Sequence, residues 1–199
     1  MSLATPFVNI GKRVLRVFPA SGNPIDVDQS DCEPERCTYS LGLLGIATAA
    51  SPTDVIVMRG SATKLIRLRS IVINSATSGS NSSAPIAIIR RTAANTGGTA
   101  TTPALGQHDT SDPVPTAVVS LYSANPSGLG ASSGQPIHAG RVTCPTSAVN
   151  LDRLTFQYAW QNDKAIVLNG VNDFIAINFG GAAIAGTPTF DADLLWSEE

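Results

Sequence analysis

Towards the end of the chain, Phe190, Ala192, Leu194 and Trp196 recur at every second position, with Thr189, Asp191 and Asp193 between them. Successive side chains of an extended segment point to opposite faces, so this pattern predicts a strand with one face in a core and the other in water. Leu154, Phe156, Tyr158 and Trp160 alternate with Thr155, Gln157 and Ala159 in the same way, and this segment is the expected pairing partner of the last strand. Shorter apolar runs predict strands over 54–58, 63–73, 85–91, 116–122, 137–144, 165–168 and 174–179. Within 63–73, Ile66, Leu68 and Val72 are expected on one face, and Leu65, Arg67, Arg69, Ile71 and Ile73 on the other. The apolar segment 37–46 is a strand or an irregular buried stretch, because Gly42 and Gly45 weaken either reading.

No stretch of ten or more residues keeps a 3.6-residue period. Polar, glycine-rich segments at 75–83, 93–115 and 123–135 separate the strands, and loops as long as the last two are expected to be functional or to form interfaces. Asn169-Gly170 matches a type I′ hairpin, or a slightly longer turn, since Asn172 and Asp173 precede the next apolar run. Residues 1–36 differ from the rest. Gly11, Pro19, Gly22, Pro24 and Pro34 interrupt them, and only 14–18 has strand character. The expectation is an all-β chain: an extended N-terminal arm over 1–36, lying on the domain or on a neighbour, and a jelly-roll-like β-sandwich over 37–199. A closed barrel suits strands of such unequal length less well.

Composition narrows the function classes. Charged residues are 14% of the 199, against roughly a quarter in an ordinary domain; Ser, Thr, Asn and Gly carry the polarity instead. Such a surface suits tight association. A net charge of -2 argues against nucleic acid as a partner, which calls for a basic excess. No apolar run approaches the ~18 residues of a membrane span, and no signal-peptide pattern opens the chain, which predicts folding in a cytoplasm. Cys32, Cys37 and Cys144 lack metal-type spacing, so free thiols are favoured over a local disulfide, with metal ligation last.

Few residues suggest chemistry. His108 beside Asp109, Ser111 and Asp112 contains the residue types of a hydrolytic site, but neighbours in sequence rarely meet triad geometry. A turn or subunit-contact role is favoured, with Asp109 and Asp112 bonding local backbone. His138 is read as a half-buried packing residue of a strand. The acidic run Asp26, Asp28, Asp31, Glu33 and Glu35 lacks the spacing of a calcium loop, and is read as solvated or paired with a neighbour's arginines. A second acidic cluster, Asp191, Asp193, Glu198 and Glu199, is expected on the outward face of the last strand and just beyond it. Arg67, Arg69, Arg90 and Arg91 would form a positive strip if their strands paired; salt bridging is favoured over nucleic-acid binding, for want of interleaved aromatics. Gly97-Gly98 and Gly180-Gly181 are not phosphate loops, since no Lys-Ser or Lys-Thr follows. No catalytic, cofactor-binding or metal residue is assigned, and the chain is read as not an enzyme.

Several phrases together resemble a known group. They are Gly60-Ser61-Ala62-Thr63-Lys64 leading into Leu65-Ile66-Arg67-Leu68-Arg69, the run from Arg90-Arg91-Thr92 to Gly97-Gly98-Thr99, then His108-Asp109 and Pro115-Thr116-Ala117-Val118-Val119. Asp163-Lys164-Ala165-Ile166-Val167-Leu168 and the closing Trp196-Ser197-Glu198 complete the set. Over about residues 50 to 199 the chain resembles β-rich virion structural proteins of tailed bacteriophages. The resemblance implies a capsid cement or decoration protein that bridges and stabilises capsid subunits; the alternative is a head-fibre, tail or receptor- or glycan-binding module. It implies the major capsid protein or other virion proteins as partners, a homo-oligomer (trimer or dimer), and location in the virion, with no nucleic acid, membrane or cofactor. It transfers no functional residue. Residues 1–36 and the loops 93–115 and 123–135 are the expected contact elements, and inward-facing Trp160 and Trp196 weaken the glycan alternative.

Overall fold

A computed structural model describes residues 8–10, 13–15, 36–47, 53–147, 151–159, 164–180 and 184–199. The chain divides into two units, Met1–Arg36 and Cys37–Glu199. In the first, β1 (Val8–Ile10) pairs antiparallel with β2 (Arg13–Leu15), two short strands where a single one over 14–18 was expected. The rest of the arm, with its acidic run and Cys32, lies outside the described residues.

The second unit is all-β, with no helix among the described residues. Its strands are β3 (Cys37–Ala47), β4 (Thr53–Arg59), β5 (Leu65–Ser75), β6 (Ser82–Arg91), β7 (Thr99–Thr101), β8 (Gly106–Gln107), β9 (Val118–Ala124), β10 (His138–Cys144), β11 (Arg153–Gln157), β12 (Ile166–Asn169), β13 (Phe174–Phe179) and β14 (Thr189–Glu198). They form two antiparallel sheets. The first has the order β10-β6-β13-β4-β9-β7; the second has β11-β5-β14-β3-β8, with β12 sharing the edge of β5 that β11 uses. Side chains from both sheets make one core, with Tyr39, Ile56, Ile71, Ile88, Phe190 and Trp196 almost wholly enclosed.

The last strand takes the expected form: Phe190, Ala192, Leu194 and Trp196 all face inward. Its neighbours differ from expectation, because β14 lies between β3 and β5 while β11 pairs with the far edge of β5. The predicted faces of β5 also need correction. Ile66 and Leu68 point into the core, and so do Ile71 and Ile73, whereas Val72 belongs to the opposite face and is outside the core cluster. The cause is a bulge at Arg69: β14 steps from Leu195 opposite Ser70 to Trp196 opposite Leu68. One extra residue reverses every later side chain. A second bulge explains why the glycines of β3 are compatible with a strand. Between Leu43 and Ile46, Leu44 and Gly45 oppose Asp191 alone, Gly45 takes φ +67°, and its N–H donates to Asp191 Oδ1 at 2.9 Å.

Two loop expectations change as well. The segment 93–115 contributes β7 to the edge of the first sheet and β8 to the edge of the second, so it is partly built into both. Asn169-Gly170 closes no hairpin, since β12 and β13 belong to different sheets. It opens a crossing turn in which the Asp173 N–H donates to Gly170 O and the Asn169 N–H to Asp173 Oδ2.

Candidate functional site

The first sheet is covered on its outward face as well as its inward one. All six residues of β13, Phe174 to Phe179, are buried, and such a strand reads as nearly continuous apolar sequence. Asn178 is its exception. On the outward face, Asn178 bonds Asp54 of β4, which pairs in turn with Arg91 of β6, both buried. Arg91 Nη2 and Nε reach the two Asp54 oxygens at 2.8 and 3.0 Å, in the two-pronged geometry that suits guanidinium and carboxylate. Asn178 Nδ2 donates to Oδ1 at 2.8 Å and Asn95 Nδ2 to Oδ2 at 3.1 Å. Arg91 Nη1 then donates to Gly130 O at 3.0 Å, and the Gly130 N–H to Asn95 Oδ1 at 2.8 Å. A paired and fully hydrogen-bonded charge can be kept in a dry interior.

This network latches two loops onto the sheet: 92–98, after β6, and 125–137, after β9. Backbone bonds join them to each other, Thr92 N–H to Ala131 O at 2.8 Å and Thr96 N–H to Gly128 O at 2.8 Å. The approach is so close that a Cβ on Gly130 would overlap the Ala93 carbonyl. The opposite surface of these loops is open, with Leu129 and Ile137 its exposed large apolar side chains.

At the far end of the second sheet, Glu198 corrects its expected outward position. It continues the inward series 190, 192, 194, 196 and is buried. Its carboxylate accepts the Thr116 N–H at 2.9 Å, the Thr116 hydroxyl at 2.7 Å, the Ala117 N–H at 3.0 Å and Trp196 Nε1 at 3.2 Å. Because Thr116 and Ala117 give their N–H groups to this carboxylate, β9 begins at Val118 rather than at 116. Nearby, the Tyr39 hydroxyl donates to Pro113 O at 2.7 Å. Burial, then the neighbouring Cys37, push its pKa up from 10.0 to about 12.

The expected chemical residues are dispersed. His108 follows β8, is exposed, and holds its place through its backbone N–H to Thr38 O; its ring makes no hydrogen bond to Asp109 or Asp112 among the described residues. Asp109 forms the expected local turn, accepting the Ser111 N–H and hydroxyl at 2.8 Å each, which holds its carboxyl below the usual range. Asp112 contributes its backbone carbonyl, not its side chain, to Gln107 Nε2. His138 is exposed rather than half-buried, and lies across Phe156 and Tyr158, with ring centres 5.5 and 5.4 Å apart. The arginine strip does not form, because β5 and β6 belong to different sheets. Arg67 pairs with Glu199, Arg90 with Asp173 and Arg91 with Asp54, at 2.7–2.8 Å.

Asp191 bonds its own chain at Gly45, leaving Asp193 as the exposed acid of the last strand. Cys37 and Cys144 are free thiols, and burial raises the Cys144 pKa. Trp160 lies outside the described residues. Among those residues, no group of three or more His, Cys, Asp or Glu side chains is arranged to hold a metal ion. Sequence reasoning missed the latch. Its one signal was Asn178, a polar residue in an otherwise apolar run. Comparison with known protein families, curated proteins and solved structures finds no match to this chain.

Proposed function

We propose that this chain is a structural protein of a bacteriophage virion, a capsid cement or decoration protein whose body is a jelly-roll sandwich. The observation that carries the reading is the order of strand pairing. With β7 to β9 set aside as an insertion between β6 and β10, and β11 with β12 counted as one interrupted strand, eight strands remain. The first pairs with the last (β3 with β14), the second with the seventh (β4 with β13), the third with the sixth (β5 with β11 and β12) and the fourth with the fifth (β6 with β10). Eight antiparallel strands paired in this nested order support the jelly-roll reading, an architecture frequent in viral capsid domains and also used by lectins.

Fold alone does not assign function. Two further features favour the capsid reading over the lectin one: the resemblance of whole phrases to phage virion proteins, and a body whose buried polar groups are used to fix loops. The loops 93–115 and 123–135, latched on one side and open on the other, would meet capsid subunits as preformed surfaces. Repeated copies would add their weak contacts by avidity.

Antibody labelling of purified tailed-phage particles carrying this chain, viewed by electron microscopy, tests the proposal. Label distributed over the head supports it. Label confined to the tail or fibre tips overturns the cement reading in favour of the attachment module, and absence from particles overturns the virion reading. Particles lacking the chain are expected to release DNA at a lower temperature. A native mass measurement checks the expected dimer or trimer.

A further inference from the structure

Where the 92–98 loop crosses the outward face of the first sheet, it leaves a cleft of about 130 Å³. Val57 and Phe174 form its floor, and with Ala176 they make a small apolar cluster against which Tyr122 packs. Asn95 forms one wall. Both ends of its amide are already committed, to Asp54 and to Gly130, so the wall is fixed before any ligand arrives. The remaining polar groups are uncommitted. Arg59, at the end of β4, is exposed and makes no ion pair among the described residues, unlike Arg67, Arg90 and Arg91. The Ser120 and Tyr122 hydroxyls make no hydrogen bond among the described residues.

A preformed apolar floor with a few convergent polar groups is the usual build of a small-molecule site. A cleft of about 130 Å³ admits one end of a ligand and not a whole chain. The guanidinium fork suits a planar carboxylate held by two hydrogen bonds. An aromatic ring beside an apolar floor suits the C–H face of a sugar ring, and two free hydroxyls suit its hydroxyl edge. A bare carboxylate would leave the half-buried Tyr122 ring uncovered, and a neutral sugar would leave the cation unused.

We propose that the cleft formed by Arg59, Ser120, Tyr122 and Phe174 binds the terminal carboxylated sugar of an acidic glycan, with its carboxylate on Arg59 and its ring against Tyr122. This binding activity does not depend on the virion role. A site of this size on one subunit is weak, and an oligomer would strengthen it by presenting several copies.

Titration of the isotopically labelled full chain, followed by amide chemical shifts, tests the proposal with three probes: methyl glucuronide, its neutral counterpart methyl glucoside, and acetate. The glucuronide is expected to shift Arg59, Ser120, Tyr122 and Ala94 at millimolar concentration, with the glucoside and acetate at least about tenfold weaker, the scale of one lost charge-assisted pair. Arg59→Gln should weaken the glucuronide about tenfold without altering the melting temperature, since this side chain is exposed. Arg153→Gln, away from the cleft, should bind as the unaltered chain does. Equal binding of acetate would overturn the sugar assignment, and equal binding of the glucoside would overturn the carboxylate contact. Unchanged affinity in Arg59→Gln, or no shifts at these residues, would overturn the site itself.

Discussion

Asp54 and Glu198 are both buried carboxylates, held by different means. Asp54 faces a guanidinium and two amides, so removing it strands a buried cation. Asp54→Ala is expected to destabilise the protein by about 3–5 kcal/mol. Arg91→Ala strands the anion instead, and the double variant should lose much less than the sum of the two, because no unpaired charge is left. Urea unfolding of the three variants measures this. Among the described residues Glu198 pairs with no cation; Thr116, Ala117 and Trp196 supply its donors. Glu198→Ala leaves those donors unanswered and is expected to cost about 3 kcal/mol. By contrast, Glu199→Ala, which breaks the partly exposed pair with Arg67, should cost under about 1 kcal/mol. Tyr39 makes a prediction about pH. Its folded pKa lies above the unfolded 10.0, so the folded state holds the proton more tightly. Its contribution is complete below pH 10 and is lost as pH rises towards about 12. Burial shifts Tyr158 in the same direction. Tyrosinate absorbance should therefore lag behind that of free tyrosine, with melting temperature falling across the same interval. Of these residues, only Asn178 left a trace in the sequence. Glu198 stood in the inward register of an alternating strand, yet its charge argued for the outside; hydrogen bonds from Thr116, Ala117 and Trp196 reverse that preference, and the first two donors lie 82 and 81 residues away.

At the level of the element, alternation predicted strands well and faces less well. Each of the nine segments predicted as a strand contains one, because period-two patterning is local. The faces of β5 were misassigned because a bulge is set by the partner strand: Arg69 is the extra residue only against β14. Glycine 45 carries the corresponding bulge in β3, at φ +67° with open space where a Cβ would be. Gly45→Ala is therefore expected to cost about 1–2 kcal/mol from backbone conformation alone, with no steric clash; thermal melting measures it. Because β14 lies between β3 and β5, its loss would open the second sheet down the middle. A chain ending at residue 188 should show no cooperative unfolding transition when melting is followed by circular dichroism.

For the whole molecule, the consequence of the nested strand order is that nearly every strand's partner is distant in sequence. The insertion between β6 and β10 extends one edge of each sheet and covers the outward face of the first. That cover makes the body, residues 37–199, a unit with its own core, so this segment expressed alone should unfold in a single transition close to the melting temperature of the full chain. Gly130→Val should loosen the loop cover, since its side chain would overlap Ala93. Faster proteolysis within 92–98 and 125–137, with the rest of the body intact, is the expected readout.

By itself, the sequence determined the class of the fold and the positions of most of its strands, since each depends on composition and on spacing along a few neighbouring residues. Tertiary structure alone decided which strands became neighbours, where bulges reversed the faces, and which charged residues went inside. Those outcomes depend on bonds between residues tens to more than a hundred positions apart, such as Asn178 to Asp54 and Glu198 to Thr116. A carboxylate is stable in the interior only where such distant donors arrive together, and no local pattern records their arrival.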